Sequence, residues 1–183
     1  MVLLESVLYG KIRKGGKAPD FSLKGIDGKK YSLDGFKGKP TLIVFMCNHC
    51  PYVKHKIGTI VSLEKEFRGK ANVVGINSND PKQYPEDDLE GMKKFAKERG
   101  IGFPYLVDGT QEVAREWGAS CTPDTYLLDK ELKLAYHGRI DDSLEPGTKP
   151  KTHEMREAIR QLVDGKKVSV REEPSIGCSI KWK

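Results

Sequence analysis

Thr41-Leu42-Ile43-Val44-Phe45-Met46-Cys47-Asn48-His49-Cys50-Pro51 is the stretch on which the fold reading turns. Its first six residues form a continuous apolar, β-branched run. Such a run predicts a strand buried on both faces, as at the centre of an α/β sheet. The pattern then changes period. Between Tyr52 and Arg68, residues Val53, Ile57, Ile60, Val61 and Leu63 recur at helical spacing, and Gly69 supplies the stop. A Cys-x-x-Cys pair thus falls where a buried strand feeds a helix. In a chain of βαβ patterning that spacing reads as a redox motif; a half-built zinc knuckle and two incidental core thiols are the alternatives.

Working outward, Ala71 to Ile76 predicts a second buried strand and 77–85 a polar loop punctuated by proline. A helix follows from Glu86 to Arg99, stopping at Gly100. Pro104 to Val107 reads as a short strand and Gln111 to Trp117 as a short helix. Thr125 to Leu128 and Leu134 to His137 are strands joined at hairpin length by Asp129-Lys130-Glu131. The last helix is Thr152 to Val163. Upstream, Phe21-Ser22-Leu23 and Lys30-Tyr31-Ser32-Leu33 flank Gly25-Ile26-Asp27-Gly28 and predict a β-hairpin. Residues 1–15 are expected to be a mobile or loosely docked arm. One domain spans 16–165, and the tail 166–183 packs on it through Ile180 and Trp182. The order predicts an α/β domain: a mixed central sheet flanked by helices.

Composition bounds the function. A chain of 183 residues suits one domain, which can bury ~70% of its unfolded surface without disulfide staples. Four cysteines are too sparse for a secreted disulfide scaffold. The net charge of +6 is dispersed among acidic residues, which argues against a nucleic-acid partner. No run of 18 apolar residues exists, so no membrane span is expected. Met1 to Leu8 lacks a basic n-region and a small-residue cleavage site, so the expected location is cytoplasmic. Three Gln and four Asn beside many Glu and Lys lean towards a thermophile.

Three motifs carry a family resemblance. Gly16-Lys17-Ala18-Pro19-Asp20-Phe21 resembles the entry motif of the alkyl hydroperoxide reductase/thiol-specific antioxidant (AhpC/TSA, redoxin) superfamily. Cys47-x-x-Cys50 resembles the redox motif of its thiol-disulfide oxidoreductase members. Gly118-Ala119-Ser120-Cys121-Thr122-Pro123, followed by Thr125-Tyr126-Leu127-Leu128, resembles their cis-proline loop and strand. The resemblance covers roughly 16–165. It implies a thioredoxin fold with an N-terminal β-hairpin and a mid-chain helical insertion. It also implies a cis Pro123 beside the cysteines, and a Thr122 backbone that pairs with an extended substrate segment.

A thiolate attacks disulfides and a thiol does not. The free N–H groups and positive dipole end of a helix favour an anion at the strand-to-helix junction. Asn48 suits an N-cap and Pro51 the first turn, so the helix is expected to start near Cys47 or Asn48. Cys47 would then be the exposed attacking thiol, with Cys50 a turn inward to resolve the mixed disulfide. His49 resembles the third-position histidine of protein disulfide isomerases and bacterial disulfide oxidases, and an imidazolium there stabilises a thiolate. The gain is limited. A thiol about a hundredfold more acidic has roughly 25-fold more thiolate at pH 7 but about 8-fold less nucleophilicity, a net gain of about threefold. Cys121 and Cys178 are candidate accessory thiols. They either pair with each other, exchange with the Cys47–Cys50 pair, or act as small hydrophobes.

The expected activity is thiol–disulfide exchange without a bound organic cofactor or metal. The expected partners are a disulfide-containing protein or small molecule and a reductant that the sequence does not identify. A peroxiredoxin-like peroxidase using Cys50 is the alternative. That reading places Cys47 where a Thr or Ser is needed and Ile43 where a Pro is needed. Thioredoxins carry a buried Asp where this chain has Thr41 and a Trp where it has Met46. A metal-binding chaperone built on Cys47, Cys50 and a histidine is a further class. Glu86-Asp87-Asp88 reads as acids that suit a helix start, and Arg139-Ile140-Asp141-Asp142 as a surface ion-pair segment.

Overall fold

Every residue of Thr41–Phe45 is buried in the computed structural model, which describes residues 3–8 and 10–183. In chain order the strands are β1 (Leu3–Glu5), β2 (Ser22–Gly25), β3 (Lys30–Ser32), β4 (Thr41–Phe45), β5 (Asn72–Asn77), β6 (Tyr105–Val107), β7 (Cys121–Thr122), β8 (Asp124–Leu128), β9 (Leu134–His137) and β10 (Ile176–Ser179). The helices are α1 (Pro51–Glu66), α2 (Leu89–Arg99), α3 (Glu112–Trp117) and α4 (Glu154–Val163). Seven strands form one mixed sheet in the order β3-β2-β6-β5-β4-β8-β9. Central β4 runs parallel to β5 and antiparallel to β8. The β2–β3 hairpin forms one edge, and β6 with α2 is the mid-chain insertion. This is the thioredoxin-type architecture that the resemblance implies.

Alternation along β4 divides the core between the two faces of the sheet. Leu42, Val44 and Met46 pack with Val53, Ile57 and Ile60 of α1, Met92 and Phe95 of α2, and Met155 and Ile159 of α4. Ile43 and Phe45 pack on the opposite face with Trp117 of α3, Phe21 and Tyr126. Each fully buried Leu, Ile or Phe contributes about 1.5–3 kcal/mol of transfer free energy. The end of β4 is therefore held rigidly, and the cysteines follow it directly. Among the described residues no helix is long and apolar enough to cross a membrane.

Two expectations at the chain ends are corrected. The N-terminal arm is not loose: its residues 3–5 form β1, Ile12 is 5% exposed, and Gly15 N–H bonds to the Leu134 carbonyl. Met1, Val2 and Tyr9 lie outside the described residues. The tail does more than lie on the domain through two apolar anchors. Its strand β10 is the middle of a second, antiparallel sheet, β1-β10-β7, and so joins the chain terminus to the Thr122 strand. Neither event is legible locally, because a strand of three or four residues acquires its stability from its partners rather than from its own pattern.

Candidate active site

The helix begins later than the sequence suggests. Cys50 is the N-cap of α1, in extended conformation, and Pro51 is its first residue. Proline is suited there because the first N–H of a helix has no acceptor. Asn48, expected as the cap, is turned elsewhere. Its side chain donates to the Glu86 carbonyl at 2.6 Å and accepts from the Tyr105 hydroxyl at 2.9 Å. Cys47 is accordingly not an exposed thiol at a helix tip; both Cys47 and Cys50 are fully buried.

Thr122 touches both sulfurs. Its hydroxyl lies 3.3 Å from Cys47 Sγ, and its carbonyl accepts from the Cys50 thiol at 3.2 Å. The Thr122–Pro123 peptide is cis. The expected free Thr122 backbone is corrected, however: Thr122 is opposite Cys178 of the chain's own tail in antiparallel pairing. The register also settles the accessory thiols geometrically. Side chains alternate along a strand, so Cys178 shares a face with Thr122 and not with its neighbour Cys121. The Cys121–Cys178 disulfide therefore does not fit, and Cys178 meets Cys50 instead. No disulfide joins any of the four cysteines.

The electrostatics separate the thiols. Burial pushes Cys47 well up, and its hydrogen bond with Cys50 and the charge of Asp87 add to this. Cys50 is pulled down, because the Cys178 and Cys47 thiols and the Val53 N–H all donate to its sulfur and outweigh burial. Donating to Cys50, and then burial, push Cys178 up. Burial also raises Cys121, beside Asp124. Of the three neighbouring sulfurs, Cys50, at the N-terminus of α1, is thus the one whose surroundings most favour ionisation.

The acidic stretch contains a site residue that sequence reasoning read as structural. Asp88 does cap α2, accepting from Gly91 N–H at 2.7 Å, but Asp87 points inward. Asp87 Oδ1 accepts from the Asn48 N–H at 2.6 Å. Its Oδ2 meets His49 Nδ1 at 2.7 Å and the Asn79 amide at 2.8 Å. Burial alone would raise Asp87; the bonds from His49, Asn79 and Asn48 reverse this and hold it below the ordinary carboxylate range. Gly91 permits the arrangement, since a Cβ there would come within 2.1 Å of the Glu86 carbonyl oxygen. His49 is not a solvated helix-start residue: its side chain is 9% exposed and stacks on Tyr84. No local signal singles out Asp87, Asn79 or Tyr84; only a polar, proline-marked loop after a buried strand pointed to the region.

Cys47, His49 and Asp87 bring possible metal-ligand atoms within 4.8 Å of one another. The Asp87 oxygens are already committed to Asn48, His49 and Asn79, so the cluster is a hydrogen-bonded one as it stands. Further buried polar groups surround the cis proline. Asp124 Oδ1 lies 2.9 Å from His137 Nε2, and Lys56 pairs with Asp141 beneath Pro123. The Arg139–Asp142 segment is therefore only partly a surface one: Asp141 is 1% exposed.

A dithiol at a strand-to-helix junction, flanked by a strand that enters through a cis proline, defines a thioredoxin-fold protein of redox type. Residues 14–137 match the model of the AhpC/TSA family, and the chain belongs to that family. It is 31% identical over 159 residues to a chloroplastic peroxiredoxin Q of Populus jackii, covering 78% of this chain and 71% of that one. It is 32% identical over 120 residues to the thioredoxin-like protein YneN of Bacillus subtilis, covering 66% of this chain and 68% of the relative. The crystal structure of an uncharacterized conserved protein from Geobacillus kaustophilus is similar over 100% of this chain and 97% of its own. The two share 44% sequence identity, with a TM-score of 0.93.

Proposed function

We propose that this protein is a thiol–disulfide oxidoreductase, exchanging two electrons between its Cys47–Cys50 dithiol and a disulfide of a protein or small molecule. The observation that carries the reading is the pair itself. Two buried sulfurs three residues apart, Cys50 at the N-cap of α1 and Cys47 just before it, both touch Thr122, with cis Pro123 following. One thiol attacks a substrate sulfur and the other resolves the mixed disulfide, closing Cys47–Cys50. A separate reductant then restores the dithiol. The cytoplasm is the proposed setting. His49 with Asp87 positions the loop between the cysteines.

The peroxiredoxin Q relatives favour a second reading, peroxide reduction through Cys50. Surroundings that pull the Cys50 thiol down suit both. Cys47→Ser and Cys50→Ser are to be compared in insulin or glutathione-disulfide reduction beside hydrogen peroxide consumption, with metal content measured after purification. Loss of disulfide reduction in both variants is the expected result. Peroxide consumption that depends on Cys50 without disulfide reduction would replace the reading by the second. Stoichiometric metal bound through the cysteines would replace both.

A further inference from the structure

Cys178 is a buried nucleophile that a two-cysteine mechanism leaves unused. It stands in β10, held between Leu3 of β1 and Thr122 of β7. The approach is close enough to require glycine beside it: a Cβ on Gly177 would fall 2.1 Å from the Thr122 carbonyl oxygen. That same carbonyl accepts from Cys50. The first turn of α1 completes the arrangement. Its backbone lies against both sulfurs, Tyr52 beside Cys178 and Val53 beside Cys50, the N-cap of the helix. The Cys50 sulfur has both Cys47 and Cys178 as neighbours.

The tail is wired in beyond this contact. Lys181 N–H donates to Asn79 Oδ1 at 2.9 Å, and the Asn79 amide donates to Asp87, the partner of His49. The Lys181 amino group lies 5.6 Å from the centre of the Tyr84 ring, on which His49 stacks.

We propose that Cys178 is a third redox thiol of this site: it takes the disulfide from Cys47–Cys50 and closes a Cys50–Cys178 bond that fastens the tail across Thr122. The proposal rests on the exchange reading, from which it takes its oxidising equivalents. A substrate disulfide first withdraws two electrons from Cys47 and Cys50. With Cys50 in the disulfide, Cys178 no longer donates to a Cys50 thiolate; it gives up its proton and attacks Cys50 Sγ, the Cys50–Cys178 bond forms, the Cys47–Cys50 bond breaks, and Cys47 leaves with the electron pair. The proton lost by Cys178 is taken up by Cys47. The step is an isomerisation and consumes no further oxidant. Its result is a covalent link between the N-cap of α1 and β10, which holds closed the backbone edge where an extended substrate would pair.

The full chain is to be oxidised with glutathione disulfide, quenched at intervals with an alkylating agent, digested with trypsin and analysed without reduction. Cys47 and Cys50 share one tryptic peptide and Cys178 lies on another, so the two disulfides differ as a link within a peptide and one between peptides. The wild-type chain is expected to show the internal link first and the Cys50–Cys178 link later. In Cys47→Ser the inter-peptide link should become the main disulfide, rising several-fold. If Cys178 is alkylated throughout in the wild type while Cys47–Cys50 forms, the relay is wrong and the exchange reading stands. If no disulfide forms at all, both fail. The wild-type time course decides the matter whether or not the variant folds.

Discussion

The His49 imidazole lies flat on the Tyr84 ring, with centroids 3.8 Å apart and planes 8° apart. Its orientation is therefore fixed from two directions, by the ring below and by Asp87 at Nδ1. The residue between Cys47 and Cys50 is thereby held by a loop that follows β5, and disturbance of that loop reaches the thiols through it.

Asp87→Asn keeps the shape of the loop but removes a negative charge that raises Cys47. Cys47 should become more acidic, and thiolate absorbance near 240 nm should rise at lower pH than in the wild type. The stability effect has a definite sign. Asp87 is depressed in the folded state, so its contribution is present above the ordinary carboxylate range and is lost as pH falls through its lowered value. Urea denaturation should show a wild-type advantage of about 2 kcal/mol at neutral pH that shrinks with acidification. An advantage independent of pH would contradict the assignment.

A Cys50 thiol more acidic than its neighbours predicts the pH dependence of the redox couple. Reducing a disulfide to one thiolate and one thiol takes up one proton rather than two. In that range the potential should fall by about 30 mV per pH unit, against about 59 mV where both sulfurs are protonated. Equilibration with glutathione at several pH values measures the slope. The steeper value around neutrality would show that neither sulfur is ionised.

Gly177→Ala forces a side-chain carbon onto the Thr122 carbonyl oxygen. Separation of β10 from β7 is expected, at a cost of about 1–3 kcal/mol, the usual range for overpacking. Amide exchange of residues 176–179 should accelerate selectively, and alkylation of the cysteines should speed up as the cover loosens. Unchanged exchange in that segment would mean the backbone tolerates the closer contact.

Lys56→Met removes one member of the buried pair with Asp141, leaving a carboxylate that is 1% exposed without its cation. Unpaired buried charge of this kind costs about 3–5 kcal/mol. Thermal unfolding checks this, and the double variant Lys56→Met with Asp141→Leu should recover much of the loss, because the stranded charge is then absent.

The glycine and proline positions show how unevenly the fold was legible. Pro51 correctly marks the first turn of α1, and Gly100 its stop role at the end of α2, because both act through their own backbone. Asn48 misled for the opposite reason. Its capping propensity is real, but Tyr105 and the Glu86 carbonyl offered its side chain buried partners, and the cap passed to Cys50.

What the sequence determined by itself is whatever repeats over a few residues: the buried strand Thr41–Phe45, the helix after it, the Cys47–Cys50 pair at their junction and the proline at 123. Side-chain direction follows backbone period, so a short window suffices for these. Tertiary structure alone decided that Asp87 meets His49, that the tail pairs with Thr122, and that Cys178 rather than Cys121 stands against Cys50. Those contacts join segments far apart along the chain. Their energy comes from mutual burial and hydrogen bonding once the sheet has assembled, and no local pattern encodes which distant partner will be there.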